Sequence, residues 1–235
     1  MDEFARDEVK KQDSWLEDTR HFLQIISEQN ECGPQPPGTI PVTLDISGMY
    51  NNVPWTDGMT AFEEAMDRRE NQAIPTSFLL SLIMLVLTCN LFVFDGVLFL
   101  QLFGVTMGTR AAPTFACIFM GWLELRMLAA WQGLQPHMWR RYIDDVWFLW
   151  SGSEAELVDF IGFLNSFHPT IKFKCKQDVN YNFTTKQVDF LDTSVWIDQD
   201  GFIQTTLYEK PSRVVQYLLP SSSHPSYMTN LDRSS

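Results

Sequence analysis

The residues best placed to do chemistry are Asp144 and Asp145, two adjacent carboxylates within the run 140–145, Arg-Arg-Tyr-Ile-Asp-Asp. A strongly apolar segment, 146–150, follows them, and β-type segments around two acids predict a tight hairpin with the acids at its tip. Carboxylate oxygens are ligands for hard cations such as Mg²⁺, which usually keeps substrate phosphates as further ligands. An isolated Asp-Asp pair is more often a plain polar turn, so a metal site needs further support.

A third carboxylate, Asp45, supplies that support. It lies in the short apolar β-type segment 41–46, and aspartate is disfavoured in strands, so its place near the strand's end needs a reason. A strand-terminating aspartate is the simple alternative. If this strand lies beside the hairpin, three carboxylates can converge, as in sites that hold two divalent ions roughly 3.5–4 Å apart for phosphoryl transfer.

Apolar periodicity and turn residues predict the elements that position these acids. Helices are expected over 14–28, 57–69, 114–131 and 154–167. Strands are expected over 41–46 and 171–176, and hairpins over 91–94 with 97–102, around the acid pair, and over 188–197 with 202–208. A glycine-rich segment, 104–113, opens the third helix; such a segment lets a ligand approach the backbone closely, although a plain loop-to-helix junction is the commoner meaning.

The most apolar stretch, 78–94, raises the alternative of a membrane anchor. A membrane span needs roughly twenty apolar residues, whereas this stretch is slightly shorter, contains Asn90 and lacks basic flanks. We therefore favour a buried helix followed by a hairpin, and expect no membrane partner. A membrane-anchored protein stays the alternative.

Composition bounds the class of protein. The 235 residues include 45% hydrophobic ones, enough for a sizeable core, and the net charge of −12 argues mildly against nucleic-acid binding. The four cysteines have no paired spacing, so we expect reduced thiols in an intracellular protein. The acidic N-terminus lacks an apolar run, which predicts that the protein is not secreted; nucleus and cytoplasm are not distinguished.

In these motifs the chain resembles the reverse transcriptases of Penelope-like retroelements, from about residue 18 to about residue 225. Segment 42–54 matches the family's first catalytic motif, 101–113 its glycine-rich second motif, and 141–145 its Tyr-x-Asp-Asp third motif. The end of the family's domain is matched by four segments: 188–192, 208–211, 216–218 and 223–225.

The resemblance implies an α+β polymerase palm, with a ferredoxin-like antiparallel sheet, helices packed on one face, and incomplete fingers and thumb. Residues 1–38 would be a helical lead-in and finger remnant. Residues 39–220 would form the palm, with a primer-grip hairpin over 188–208, and residues 221–235 a tail. The implied activity is RNA-directed DNA polymerase, with an RNA or DNA template, a DNA primer and a dNTP as partners and no particular protein partner.

The resemblance also implies residue roles. Asp45 and Asp144 would ligate two Mg²⁺ ions, or Mn²⁺, with Asp145 as a supporting acid and the backbone oxygen of Ile46 as a further ligand. Tyr50 would be the steric gate against a ribose 2′-hydroxyl. The remaining substrate-binding candidates lie in the second motif and in strand 171–176: Gln101, Met107, Gly108, Lys172 and Lys174. Met107 and Gly108 would pack against the template–nucleotide pair, and one of the two lysines would protonate pyrophosphate.

Two departures from the family bear on activity. Few basic residues, Lys10, Lys11 and Arg20 among them, are available where the fingers should precede the first motif, and the thumb should extend beyond Pro225. Because contacts from lysine and arginine to phosphates dominate nucleic-acid affinity, we expect weak binding and little or no extension, as for a palm cut from a longer enzyme. A polymerase-derived binding module without catalysis is the alternative.

Overall fold

The computed structural model describes residues 2–175 and 187–208. The chain forms a mixed α+β fold around one four-stranded antiparallel sheet. In chain order the elements are α1 (Asp2–Lys10), α2 (Thr19–Glu31), β1 (Ile40–Ile46), α3 (Met49–Asn52), α4 (Trp55–Arg68), α5 (Thr76–Thr88), β2 (Leu91–Phe94), β3 (Val97–Leu100), α6 (Ala111–Ala130), β4 (His137–Tyr142), β5 (Asp145–Trp150), α7 (Glu154–Phe167), β6 (Phe173–Cys175), β7 (Gln187–Phe190), β8 (Thr193–Ile197) and β9 (Ile203–Leu207).

The main sheet has the strand order β4-β5-β1-β6, with every neighbouring pair antiparallel. Helix α6 lies in the chain between β1 and β4, and helix α7 between β5 and β6. This order of strands and helices is that of a split β-α-β-β-α-β unit, so the predicted ferredoxin-like palm is confirmed. Helices α3 to α5 and the β2–β3 hairpin are inserted between β1 and α6.

One face of the main sheet packs on helices. Its side chains, among them Val42, Leu44, Phe148 and Trp150, share a buried cluster with residues of α4 and α6. Helix α6 is apolar almost throughout and buried over most of its length. By length and composition α6 would also pass as a membrane span, a test that the core helix of a globular protein meets as well.

The opposite face of the sheet is covered as well, whereas the sequence predicted helices packed on one face. Trp147 and Leu149 of β5 form a second cluster with α2 and with a three-stranded sheet of order β7-β8-β9. Phe22 of α2 meets both Trp147 and Phe190, at ring-centroid distances of 5.1 and 4.9 Å. The palm sheet is therefore a middle layer.

Two predicted elements are wrong in their bounds. The helix expected over 14–28 begins only at Thr19, because the carboxylate of Asp18 accepts a hydrogen bond from the backbone of His21 and so caps the helix. Trp15 instead makes a bridge to Arg141 beside β4. The strand expected over 188–197 is two strands, which turn at Leu191, where φ is +54°.

The β2–β3 hairpin confirms the turn at Asp95-Gly96, but it is not part of the core. Every residue of both strands is exposed, and the hairpin forms its own two-stranded sheet. Helix α5 buries a single stripe of three residues, Leu79, Ile83 and Leu87. The expectation of a buried helix over this stretch therefore holds for one face of α5 only.

The other predicted elements agree with the structure. Helix α7 has the predicted bounds and begins with a capping box between Ser153 and Glu156. The strand expected over 171–176 is β6, three residues long. Most of the family's closing segments, over 209–211, 216–218 and 223–225, and the predicted tail lie outside the described residues.

Candidate active site

The strand register places three side chains of the catalytic motifs and one candidate lysine in one row across the sheet. Asp145 of β5 is the direct partner of Asp45 on one side and of Tyr142 on the other, and Asp45 is also the partner of Lys174. Directly opposed residues of an antiparallel pair project from the same face. The structure therefore brings Asp45 and Asp145 together, with a tyrosine and a lysine at the two ends of the row.

The turn that carries Asp144 has an unusual backbone. Ile143 has a φ of +54°, while Asp144 does not have a positive φ. A positive φ at the first of two turn residues is the pattern in which hairpins prefer glycine, and a β-branched residue there is an outlier. Such strain costs roughly 1–3 kcal/mol and persists only where the surroundings enforce it. One restraint is direct: the backbone N–H of Ile46 donates to the carbonyl of Asp144 at 2.8 Å.

A second restraint on the turn is the fully buried side chain of Arg141. Its guanidinium donates to the carbonyl of Ile143 at 3.2 Å and forms an ion pair with Glu124 of α6 at 2.8 Å. Burial opposes the charge, but the Glu124 carboxylate outweighs it, and the pKa of Arg141 is raised. Ser14 and Trp139 also donate to Glu124, at 2.6 and 3.0 Å. The sequence did not predict this pair, because its members lie on different elements 17 residues apart.

Tyr50, the predicted steric gate, lies on α3 close to the strained turn. Burial raises the pKa of its phenol to about 12, with smaller contributions from the negative charges of Cys117, Asp144 and Tyr142. The ring is therefore a neutral, half-buried group within electrostatic range of Asp144. The structure therefore brings Tyr50 near the turn that carries Asp144.

The glycine-rich segment is locked against α3. The backbone N–H of Val105 donates to the carbonyl of Tyr50 at 2.7 Å, and the indole of Trp55 donates to the carbonyl of Gly104 at 2.6 Å. Gly104 has a φ of +73°, and a Cβ there would lie 2.8 Å from the Tyr50 carbonyl oxygen and 2.7 Å from that of Asn51. Only glycine fits this contact. The glycine-rich sequence indicated a close backbone contact in this segment, but it did not identify the carbonyls of Tyr50 and Asn51 as the groups contacted.

The other candidates of this segment have different surroundings. Gln101 braces the loop from within: its side chain donates to the carbonyl of Phe103 at 2.8 Å and accepts from Thr106 at 2.7 Å. Met107 is exposed. Gly108 has a φ of +102° with open space around its Cβ position. The exposed backbone at Met107 and Gly108 is accessible to a ligand, whereas Gln101 shapes the loop.

The two candidate lysines differ in their contacts. The ammonium group of Lys172 donates to the backbone carbonyls of Asn165 and His168, at 2.5 and 3.0 Å, at the end of α7. Lys174 is exposed and lies beside Asp45 in the cross-strand row. Lys174 is thus the lysine that reaches the site, and Lys172 caps a helix.

The arrangement of the carboxylates bears on whether they suit a divalent cation. Within residues 2–175 and 187–208, no three His, Cys, Asp or Glu side chains gather in a metal-binding group. Asp45 and Asp145 are nevertheless directly opposed and partly exposed, with Asp144 adjacent to Asp145 and Lys174 on the other side of Asp45. Because Mg²⁺ in phosphoryl-transfer sites often takes one or two carboxylates with substrate phosphates completing its shell, these residues fit the ion.

One polar group beside the site, the hydroxyl of Ser47, has no hydrogen-bond partner in the described part of the chain. The hydroxyl of Ser47 is buried without a hydrogen bond there, although the Ser47 backbone N–H donates to the carbonyl of Lys172. A buried hydroxyl left unpaired costs about 1–3 kcal/mol. Ser47 follows Ile46 directly, so this hydroxyl lies beside the backbone oxygen that the resemblance assigns to the metal site.

The candidate primer-grip segment lies on the same face of the sheet as the acid row. Trp147, which contacts the β7–β9 sheet through the second cluster, lies two residues after Asp145 in β5. Residues two apart in a strand share a face. The small sheet therefore flanks the carboxylates on their own side of the palm.

The comparisons with known proteins agree with this architecture. No protein-family model and no curated protein matches the chain at a significant level. Among solved structures, the telomerase of Candida albicans in complex with a fragment of telomeric RNA matches with a TM-score of 0.65 and 13% identity, over 86% of this chain and 37% of that one. Apo telomerase from Candida tropicalis matches with a TM-score of 0.64 and 11% identity, over 87% and 39%.

A viral enzyme shows the same likeness. The Sicinivirus RNA-dependent RNA polymerase matches with a TM-score of 0.53 and 13% identity, over 80% of this chain and 40% of that one. The chain thus spans less than half the length of these polymerases. At such identities the likeness concerns the fold, and it does not single out Penelope-like elements. The chain has the fold of a nucleic-acid polymerase palm.

Proposed function

We propose that the chain is the catalytic palm of an RNA-directed DNA polymerase of the Penelope-like kind, which extends a primer 3′-hydroxyl with deoxynucleotides. The observation that carries this proposal is the direct opposition of Asp45 and Asp145 beside a strained Tyr-Ile-Asp-Asp turn, within a polymerase fold. Strained backbone that the surroundings enforce is typical of functional sites.

Divalent ions, Mg²⁺ or Mn²⁺, would be held by Asp45 and Asp144, with Asp145 and the backbone oxygen of Ile46 in support. Bound there, they would supply activation of the primer hydroxyl and charge stabilisation at the triphosphate. The chain's own residues position the substrates: Tyr50 bounds the sugar pocket, and the backbone at Met107 and Gly108 supports the template–nucleotide pair.

Lys174 is the lysine we assign to the pyrophosphate side, because Lys172 is engaged with the end of α7. The β7–β9 sheet, on the same face as the acids, is the proposed primer grip. The proposed template is RNA or DNA, and the telomerase of Candida albicans that shares this fold was solved with a fragment of telomeric RNA.

Single-nucleotide primer extension at low salt tests this proposal. The parent protein with Mg²⁺ or Mn²⁺ should extend a DNA primer on an RNA template slowly. Asp45→Asn and Asp144→Asn should each lower that rate by roughly a hundredfold or more, since no neighbour replaces the lost charge. Asp159→Asn, the same change on exposed α7, is the matched control. Equal rates for Asp45→Asn and the control would refute the site.

A second candidate function is a polymerase-derived module that binds nucleic acid without catalysis. Within residues 2–175 and 187–208 no three metal-ligating side chains gather in one group, which favours a module without catalysis, while the net charge of −12 limits the affinity of either kind of protein for nucleic acid. Such a module would bind a primer–template duplex equally well with and without divalent ions and would show no extension with either metal.

The role of Tyr50 has its own assay. If the ring closes the pocket on the 2′ side of the sugar, Tyr50→Val should raise incorporation of ribonucleotides relative to deoxyribonucleotides, because exclusion is lost. An unchanged ratio in an active preparation would leave Tyr50 as a packing residue of α3.

A further inference from the structure

The β2–β3 hairpin, called the apolar ribbon from here on, is unlike any other described strand pair. All of its strand residues are large and apolar, and all are exposed, from 42% at Phe99 to 70% at Phe94. Its register places Phe92 opposite Phe99 on one face and Val93 opposite Leu98 on the other. Both faces are therefore apolar, whereas a strand pair that covers a core at a protein surface has one polar face.

The size of this surface favours a protein partner. With about 150–250 Å² for a fully exposed large side chain, the strand residues of the ribbon leave on the order of 800 Å² open. The largest apolar patch of an ordinary monomer is about 300–600 Å². A stable protein interface buries about 800 Å² on each partner. An isolated two-stranded hairpin is also only marginally stable in water, so the ribbon needs another protein surface packed against it.

The charge pattern favours a second copy of this chain as that surface. Between Leu91 and Leu100 the only charged residue is Asp95, in the turn, so two ribbons can meet without opposing charges. A two-fold interface uses the same patch on both copies. Helix α5, which precedes the ribbon in the chain, also exposes two large apolar side chains, Phe78 and Leu85.

We propose that the apolar ribbon is a self-association surface, through which two copies of this chain form a dimer, ribbon against ribbon. Each copy carries a net charge of −12. Long-range repulsion between the copies is screened by salt. Dimerisation should therefore strengthen as salt rises, the opposite of nucleic-acid binding, which salt weakens.

Sedimentation equilibrium across a range of protein concentrations, at low and moderate salt, tests the proposal. The parent protein should show a reversible monomer–dimer equilibrium that shifts toward dimer with salt. Val93→Lys with Leu98→Glu should raise the dissociation constant at least about tenfold, because charges then lie in the interface. The two new charges are opposite in sign and directly opposed, so they preserve the ribbon itself.

The chain offers a matched control. Val158 and Leu125 are exposed by 62% and 61%, against 67% and 60% for Val93 and Leu98, but they lie on α7 and α6. Val158→Lys with Leu125→Glu should leave the dissociation constant within about twofold of the parent value. If the charged ribbon variant fails to fold, as judged by circular dichroism, Phe94→Thr replaces it, since threonine keeps β-propensity at the ribbon tip.

Four results would overturn the proposal. A monomer at every concentration and salt would exclude self-association, and growth beyond the dimer would exclude a closed two-fold interface. A dimer that both double variants leave intact, or that both weaken equally, would place the contact elsewhere. A monomer that floats with phosphatidylcholine vesicles through the ribbon would assign this surface to a membrane instead.

Discussion

Two of the three described hairpins with two-residue turns, β2–β3 and β4–β5, differ in turn chemistry and in how far their strands are buried. The turn of β2–β3 is Asp95-Gly96, with φ of +48° and +74°, residues that adopt this conformation at little cost. The turn of β4–β5 is Ile143-Asp144, with a strained isoleucine. The relaxed turn joins strands that nothing in the described chain covers, and the strained turn joins strands buried between two layers.

This difference separates a turn that forms by local preference from a turn that its surroundings impose. The β2–β3 turn needs no tertiary support to form. The β4–β5 turn needs Arg141, held by Glu124, and the hydrogen bond between Ile46 and Asp144. Because the carboxylates Asp144 and Asp145 lie in and beside the imposed turn, their placement depends on the whole palm. Removal of Arg141, Glu124 or the Ile46–Asp144 hydrogen bond should therefore displace these carboxylates first.

The largest expected effect comes from Glu124→Gln. This change would release the β4–β5 turn and so remove its difference from the β2–β3 turn. Leaving Arg141 buried without its carboxylate should lower the free energy of unfolding by about 3–5 kcal/mol, and extension activity should fall with it. Urea denaturation measures the change. Glu64→Gln removes the exposed partner of Arg126, an ion pair at the surface, and should cost less than about 1 kcal/mol. Equal losses for the two variants would show that Arg141 does not need Glu124.

A smaller effect is expected in the glycine-rich segment between β3 and α6. Gly104→Ala and Gly108→Ala both place a Cβ at positive φ, but only the first meets backbone oxygens of α3. The φ cost of roughly 1–2 kcal/mol applies to both, and the clash at Gly104 should add roughly 1–3 kcal/mol. Thermal unfolding compares the two variants directly. If Gly108→Ala is the more damaging, the glycine-rich segment does not rest on Tyr50 as described.

The smallest effect concerns Tyr50, whose titration reports the surroundings of the imposed turn. Its phenol pKa is raised from 10 to about 12, so the folded state holds the proton more tightly than the unfolded state does. The resulting stabilisation is fully present below pH 10 and is lost as pH rises through 12. The difference in phenolate absorbance between the parent and Tyr50→Phe should show a midpoint near 12. A midpoint near 10, the ordinary value, would place Tyr50 in open solvent.

The central fold was predictable because its signals are local. Apolar patterns and turn residues located β1, β5 and α7, and the resemblance of the motifs to reverse transcriptases implied that Asp45 would lie beside the Asp144-Asp145 hairpin. The register of β1 against β5 is then set by burial of Leu44 and Val146, since a one-residue slip of either strand would move its residue to the other face of the sheet, away from the cluster with α4 and α6.

The supports of the site were not predictable, because they rely on contacts distant in sequence. Nothing near Arg141 in the chain identifies Glu124 as its partner, and Ile143 carries no signal of a positive φ. Likewise Trp15 and Leu16 fit a helical pattern, but the cap at Asp18 and the bridge to Arg141 draw them into extended backbone. The apolar run 91–100 predicted strands correctly, while its exposure depends on what packs against it.

The most direct test of the central claim is Mn²⁺ binding to the protein in the presence of a deoxynucleoside triphosphate, followed by electron paramagnetic resonance. We predict a protein-bound Mn²⁺ signal that Asp45→Asn weakens at least about tenfold in affinity, while Asp159→Asn leaves it unchanged. A signal equally strong in parent, Asp45→Asn and Asp144→Asn, or one absent from all of them, would contradict a metal site formed by Asp45 and the Asp144–Asp145 pair.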